Sequence, residues 1–349
     1  ISRRGWNMKS VFVTGAGGYI GSVLVPKLLA KGYKVTALDR FFFGTETLAP
    51  HENLTVIRED TRRLTERHLE GFDAVIDLAA ISNDPSGELY VEETFQINYE
   101  ARVRTANLAK KVGVSRYILP SSCSVYGYQA DGRLVDETSP INPLTTYAKA
   151  NAMAEEGVLP LADDRFTVTV MRQATVFGCS PRMRFDLAVN IMTHSAWERG
   201  VIPLNRDGTQ WRPFVHIQDT TDAMLLLLDA DASSVNGQIF NIGSSRHNYQ
   251  LKDVAETIVR TVPKEVRVEW VGHPDHRSYR VSCEKIRRVL GWDASRTLEQ
   301  GIREVYEALC AGSLVRSERT ITLKWYQELD KWHRIIKECE LEGAMIQLR

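Results

Sequence analysis

One stretch, Val11-Phe-Val-Thr-Gly-Ala-Gly-Gly-Tyr-Ile-Gly21, constrains the fold of this chain more than any other. It reads as a short apolar strand, a glycine turn and the start of a helix. Gly15, Gly18 and Gly21 stand at the spacing G-x-x-G-x-x-G, with Gly17 inside and Tyr19 and Ile20 in the last step. Gly15 permits the tight turn, and Gly18 lets the backbone approach a pyrophosphate with no Cβ in the way. Gly21 allows the helix to pack closely on the strand, so that its amides and positive end face phosphate. A glycine triplet alone also fits a purely structural turn. Here a second strand, Lys34–Leu38, ends on Asp39, an acid placed to hold an adenosine ribose. The combination predicts a bound dinucleotide.

The segments that follow keep the same rhythm. Leu54–Ile57, Ala74–Leu78, Tyr117–Pro120 and Thr167–Met171 are short β-rich runs, and Ile20–Ala30, Glu92–Lys111 and Thr146–Leu161 carry helical patterns. Strands alternating with helices imply a doubly wound α/β fold of the Rossmann type, a parallel sheet with ligand over its carboxyl ends. After Gly178 the rhythm breaks. Arg182–Arg199, Asp219–Ala230, Leu251–Val262, Glu284–Leu290 and Leu298–Cys310 read as helices, with strands at Trp211–His216, Gln238–Ile242 and Val266–Val271. The expected division is a dinucleotide domain over 8–178, completed by about 213–245, and a smaller interleaved substrate lobe over 179–212 and 246–312. A helical extension over 313–349 follows, in which Thr322–Leu341 is expected to dock by its aromatic edge, Trp325, Tyr326 and Trp332.

Composition narrows the class. The 44 basic residues balance 44 acidic ones with no basic stripe, which argues against nucleic acid as a partner. No apolar run reaches bilayer length, and the first seven residues lack the apolar core of a signal peptide, with Met8 reading as a start. The five cysteines are scattered, so neither a disulfide framework nor a metal site is expected, as suits a reducing cytoplasm.

Two further segments carry chemistry. Ser121-Ser-Cys-Ser-Val-Tyr-Gly127 follows a strand and so lies at the ligand-bearing edge, while Tyr147-Ala-Lys-Ala-Asn151 opens a helix. A phenol and a hydroxyl meeting over one substrate atom can remove a proton from an alcohol as hydride leaves its carbon.

With these residues in place, the chain resembles the extended short-chain dehydrogenase/reductases, in their sugar-nucleotide epimerase/dehydratase branch, from about Lys9 to Leu309. The matching pieces are Thr14–Ser22, Asp39, Glu59-Asp60, Leu78–Ile81, Asn98, Ser121–Gly127, Tyr147, Arg212–Asp219 and Leu290-Gly-Trp292. The resemblance implies that Asp39 binds the adenosine ribose, Asp60 and Thr61 the adenine side, and that Ala79 and Ala80 line the cofactor. It makes Ser122 and Tyr147 the catalytic pair and Arg212 a ligand of the substrate diphosphate, with Arg277 or Arg280 as a second. Within the branch, Ala174–Leu187 with Asn190 is similar to enzymes that oxidise C4 of nucleotide-linked sugars, and most of all to GDP-heptose 4-dehydrogenases. Thr175, Ser124, Arg182, Arg184 and Asn190 are thereby candidate substrate residues. Guanidinium groups suit a diphosphate, although Arg182 and Arg184 also fit a solvated helix start.

Two departures from that pattern matter. The branch's 4,6-dehydratases carry an Asp-Glu pair where this chain has Cys123 and Ser124, so dehydration by that route is disfavoured and Cys123 is expected to be a packing residue. The family also places a lysine four residues after the tyrosine, where it holds the nicotinamide ribose and lowers the phenol's pKa. This chain has Asn151 there. Asn151 is expected to contact the ribose without a charge, and Lys149 points to another helix face. The sequence therefore supports an NAD-dependent 4-epimerase or 4-dehydrogenase acting on a nucleotide-diphosphate sugar. The alternative, motivated by Asn151, is a dinucleotide-binding sensor or scaffold without turnover. NAD is expected over NADP because Asp39 repels a 2′-phosphate, although Arg40 could attract one. The helices at Glu92–Lys111 and Thr146–Leu161 correspond to a dimer interface in relatives, so a homodimer is expected.

Overall fold

The computed structural model describes residues 9–129, 132–205, 207–272, 277–340 and 343. The expectations for residues 1–8 and for the end of the C-terminal extension lie outside them. In chain order the strands are β1 Ser10–Thr14, β2 Lys34–Asp39, β3 Leu54–Arg58, β4 Ala74–Asp77, β5 Arg116–Ser122, β6 Leu134–Val135 and β7 Thr167–Gln173. They continue with β8 Thr175–Phe177, β9 Val201–Asn205, β10 Trp211–His216, β11 Gln238–Ile242, β12 Asn248–Gln250, β13 Arg267–Val271 and β14 Arg280–Val281.

Seven of these form one sheet in the order β11-β7-β5-β4-β1-β2-β3, every neighbour parallel. The order reverses between β1 and β4, which opens a crevice above their carboxyl ends. Parallel strands covered on both faces need apolar residues on both, and all seven residues of β7 are buried. Alternation sorts the side chains. Val11, Val13, Ile76 and Ile118 join the core on one face, and Phe12, Val75, Tyr117 and Leu119 join the core on the other. The edge strand β3 is largely exposed.

Beside this sheet lie β12-β10-β8, β13-β9 and β14-β6. A third core, with Phe177, Val189, Ile202, Phe214, Val254 and Ile302, holds the helices Ala188–Arg199, Leu251–Thr261 and Leu298–Cys310 against β9 and β10. Ion pairs hold the helix Ile217–Asp229 to its neighbours: Lys27 donates to Asp222 (2.6 Å), and Arg296 donates to Asp219 (2.6 Å) and Asp222 (3.1 Å). No helix among the described residues is long and apolar enough to cross a membrane.

Two helices differ from expectation. Helix 182–199 begins only at Ala188. The Asn190 side chain takes the carbonyl of Arg184 (3.0 Å) and the amide of Gly178 (3.1 Å), satisfying backbone groups that would otherwise need a helical turn. The segment expected as one helix over 92–111 is helical at Val91–Phe95, widens to a π-helix over Gln96–Ala101 and resumes at Arg102–Lys111.

Candidate active site

A cleft of about 950 Å³ opens over the carboxyl ends of the sheet. The glycine turn forms its floor. Gly15 has φ +63°, and a Cβ there would lie 2.7 Å from the Ala79 amide nitrogen, so β1 and the end of β4 approach at glycine distance. A Cβ on Gly21 would strike the Gly15 and Ala16 carbonyls at 2.5 Å, whereas one on Gly18 would meet only the Gly15 carbonyl, at 3.1 Å. The space above Gly18 is therefore kept for a ligand. Asp39, at the end of β2, accepts from Gly17 N (3.0 Å) and Phe41 N (2.7 Å), which fixes its carboxylate beside the turn. Burial pushes its pKa up, and those amides oppose the shift.

Farther along the same wall sit Asp60 and Thr61. Burial disfavours the Asp60 charge, but hydrogen bonds from Arg62 and Arg40 outweigh it and hold the carboxyl well below the usual range. Arg40 is thus paired with Asp60 at 2.8 Å. Ala79 and Ala80 line the opposite side at the end of β4. That end is pinned by Asn98, which accepts from Ile81 N (2.8 Å) and donates to Ile81 O (2.9 Å).

Ser122 closes β5, and Tyr147 stands in the first turn of the helix Thr146–Val158, whose N-cap is Thr145 accepting from Ala148 N (3.2 Å). Both side chains line the cleft, and Ser122 Oγ accepts from Ser124 N (3.1 Å). Burial raises the phenol's pKa, and the charge of Arg102 is the largest influence drawing it back down. Ser124 lines the cleft with a buried, unpartnered hydroxyl, and Thr175 lines it from β8.

Arg182, Arg184, Arg212 and Arg277 all reach the cleft. Arg182 and Arg184 are buried, not solvated. Arg184 grips Asp186 with two bonds (2.9 and 3.0 Å), and that pairing outweighs burial to bring the Asp186 carboxyl down to about 2. Arg182 lies 3.6 Å from the Phe43 ring centre, with burial bringing it down to about 10. Its Nε and Nη1 have no partner among the described residues, as suits a site built for a polar ligand. Arg212 donates to the carbonyl of Arg277, which is ion-paired to Asp84.

Three expected residues do not line the cleft. Asn190 is fully buried and spends its amide on Gly178, Arg184 and the Tyr19 hydroxyl (3.1 Å). Arg280 lies over the Trp211 ring (4.7 Å). Asn151, expected against a ribose, turns inward: it accepts from Arg102 (2.8 Å) and donates to the Tyr147 carbonyl (2.9 Å). Conversely, sequence reasoning missed Tyr326, Asp330 and His333 of the C-terminal helix, which form part of the cleft wall. The only signal for them was that helix's amphipathic aromatic pattern. Cys123 is buried, its thiol pushed up by desolvation and bonded to Arg172 O, a packing residue. No cluster of potential metal ligands occurs among the described residues.

The glycine floor, the Asp39 carboxylate beside it and the open space over Gly18 fit a dinucleotide. Among curated relatives, UDP-glucuronic acid decarboxylase 1 of Danio rerio is 24% identical over 86% of this chain and 72% of its own length. UDP-arabinose 4-epimerase 1 of Arabidopsis thaliana is 26% identical over 85% and 78%. Of a longer relative, UDP-glucuronic acid decarboxylase 4 of Arabidopsis thaliana, the chain spans 66%. Among solved structures, MoeE5 in complex with UDP-glucuronic acid and NAD is 26% identical, with a TM-score of 0.75 over 87% of this chain and all of that one. The model of the NAD dependent epimerase/dehydratase family matches residues 11–243, and the chain belongs to that family, with NAD as its cofactor.

Proposed function

We propose that this protein uses NAD to oxidise C4 of a nucleotide-diphosphate sugar, as a 4-epimerase or a 4-dehydrogenase. The observation that carries the reading is that Tyr147 and Ser122 line the same cleft, which runs from the glycine floor to Arg212 and Arg277. Bound NAD supplies the hydride acceptor. Gly15, Gly18, Tyr19, Ile20 and Gly21 would hold its pyrophosphate, Asp39 its adenosine ribose, and Asp60 and Thr61 its adenine side. Arg40 is engaged by Asp60, which leaves Asp39 to face the ribose, in keeping with NAD.

Tyr147 takes the proton of the C4 hydroxyl, and Ser122 holds that oxygen by a hydrogen bond as the carbonyl forms. Arg212 and Arg277 hold the diphosphate, which fixes the sugar relative to Tyr147. Cys123 and Ser124 offer no carboxylate for elimination across C5 and C6. The relatives fit this first step: a 4-epimerase requires it, and a 4-ketone is β to a C6 carboxylate, the arrangement from which a hexuronic acid loses carbon dioxide.

The test is to incubate the NAD-loaded protein with a panel of nucleotide sugars and follow epimer or keto product by NMR. Tyr147→Phe should lower turnover by roughly 10²–10⁴-fold with NAD binding retained. Silence of the wild type across the panel with NAD bound would favour the sensor reading, and an active Tyr147→Phe would remove the assigned base.

A further inference from the structure

We propose that Arg102 is the cation that supports Tyr147 as a base, standing in for the lysine that the resemblance places four residues after the tyrosine, and that Asn151 is the bridge that seats it. The inference rests on the assignment of Tyr147 as base. Arg102 is 3% exposed and follows the π-helical stretch, on the same inward face as Asn98 and Thr105. Its Nε donates to the Ala79 carbonyl (3.2 Å) and its Nη1 to Asn151 Oδ1 (2.8 Å), while Asn151 Nδ2 donates to the Tyr147 carbonyl (2.9 Å). One arginine thus connects the cofactor-lining end of β4 to the first turn of the catalytic helix.

The side chain at 151 is acceptor to Arg102 and donor to the helix at once, which an amide does and an ammonium does not. A lysine at 151 would bring a second cation within hydrogen-bond reach of the guanidinium in a buried site. Positions 102 and 151 therefore accommodate one positive charge between them, and this chain carries it on Arg102.

That charge acts on several buried groups, Tyr147 among them. Arg102 makes no ion pair with a carboxylate among the described residues. The nearby acid is Asp77, which accepts from Thr14 (2.5 Å) and Tyr117 (2.6 Å), and whose own pKa burial pushes up while Arg102 opposes. Tyr117 also donates to the Arg102 carbonyl (3.1 Å) and is raised by burial. Around Tyr147 itself, Arg184 and Ser122 act in the same sense as Arg102, and Asp84 acts against them. Joined through Asn151 to the backbone of Tyr147, Arg102 is therefore a positioning residue acting through charge on the base.

The experiment titrates the Tyr147 phenol in the full-length, NAD-loaded protein, by ring-¹³C-tyrosine NMR with Tyr147→Phe as the assignment control, alongside the pH profile of kcat/KM. Arg102→Met should move the phenol midpoint and the rising limb up by about one unit, a tenfold loss of base at fixed pH. Arg102→Lys should keep both near the wild type. Asn151→Asp, nearly isosteric, gives Arg102 a carboxylate partner and should move both upward even if Arg102→Met fails to fold. Asn151→Lys alone should destabilise the fold without lowering the midpoint, and the pair Arg102→Met with Asn151→Lys should restore it. A midpoint unmoved by both Arg102→Met and Asn151→Asp, or lowered by Asn151→Lys alone, overturns the proposal while leaving Tyr147 as base. Turnover that survives Tyr147→Phe overturns the base assignment instead, whatever the titrations give.

Discussion

At the scale of single residues, the glycines of the first turn separate folding from binding. Gly21→Ala drives a Cβ into two backbone carbonyls at 2.5 Å, atoms that cannot give without moving the turn or the helix. It should cost about 1–3 kcal/mol, read as a lower midpoint in urea unfolding. Gly18→Ala meets only one carbonyl, at 3.1 Å, and should leave unfolding nearly unchanged while NAD affinity, measured by calorimetry, falls by roughly tenfold or more as the pyrophosphate loses its close approach. Equal effects of the two substitutions on stability would contradict this division. The place of Gly15, Gly18, Gly21 and Asp39 at the cleft was legible from sequence because it depends on local backbone and on the strand they end. Asn151 was not. Its spacing from Tyr147 was plain, but its direction is set by Arg102, forty-nine positions away and brought beside it only by helix packing. Asn190 misled for the same reason: its polar side chain serves backbone groups that become exposed only because the chain there is not helical.

At the scale of elements, strand–helix alternation located the sheet, since apolar runs and helical periodicity are written in consecutive residues. What it could not give was where an amphipathic helix docks. Of the aromatic edge expected to dock the helix Thr322–Cys339, Trp325 and Tyr326 pack on the loop that follows Asp39, whereas Trp332 is 54% exposed. Trp325 donates to the Phe42 carbonyl (2.6 Å), and Tyr326 packs among Phe42, Phe43 and Tyr90 at 5.6–6.1 Å between ring centres. Arg182 donates to Thr322 (3.1 Å), so the buried arginine is held by the same helix. The helix therefore encloses the cleft beside Asp39 as well as burying part of its own edge. Tyr326→Ala removes a ring from that wall and should speed NAD release by about tenfold, the equivalent of about 1.4 kcal/mol, in a fluorescence displacement experiment. An unchanged release rate in a folded variant would make the helix a structural brace only.

For the whole molecule, the question is what covers the helices on the outer side of the sheet. The segments Asp84–Leu89, Val91–Phe95 and Thr146–Val158 pack against one another, and they leave Leu89, Val91 and Met153 exposed at 51%, 44% and 37%. Glu92, Glu93, Lys149 and Glu156 are also exposed on these helices, giving a mixed apolar and charged face of the sort that marks association sites. The homodimer expected from the sequence, through the helices at 92–111 and 146–161, would include the part of this face that Val91–Phe95 and Thr146–Val158 supply. The Tyr147 side chain faces the cleft from that same helix, so association would also stiffen the element that carries the base. Sedimentation velocity should find a dimer at micromolar concentration. Met153→Glu sets a charge into the face without touching the cleft, and should shift the population to monomer while circular dichroism stays unchanged. If the wild type sediments as a monomer throughout, or if Met153→Glu remains dimeric, the face is not the interface and the catalytic helix is rigid by its own packing alone.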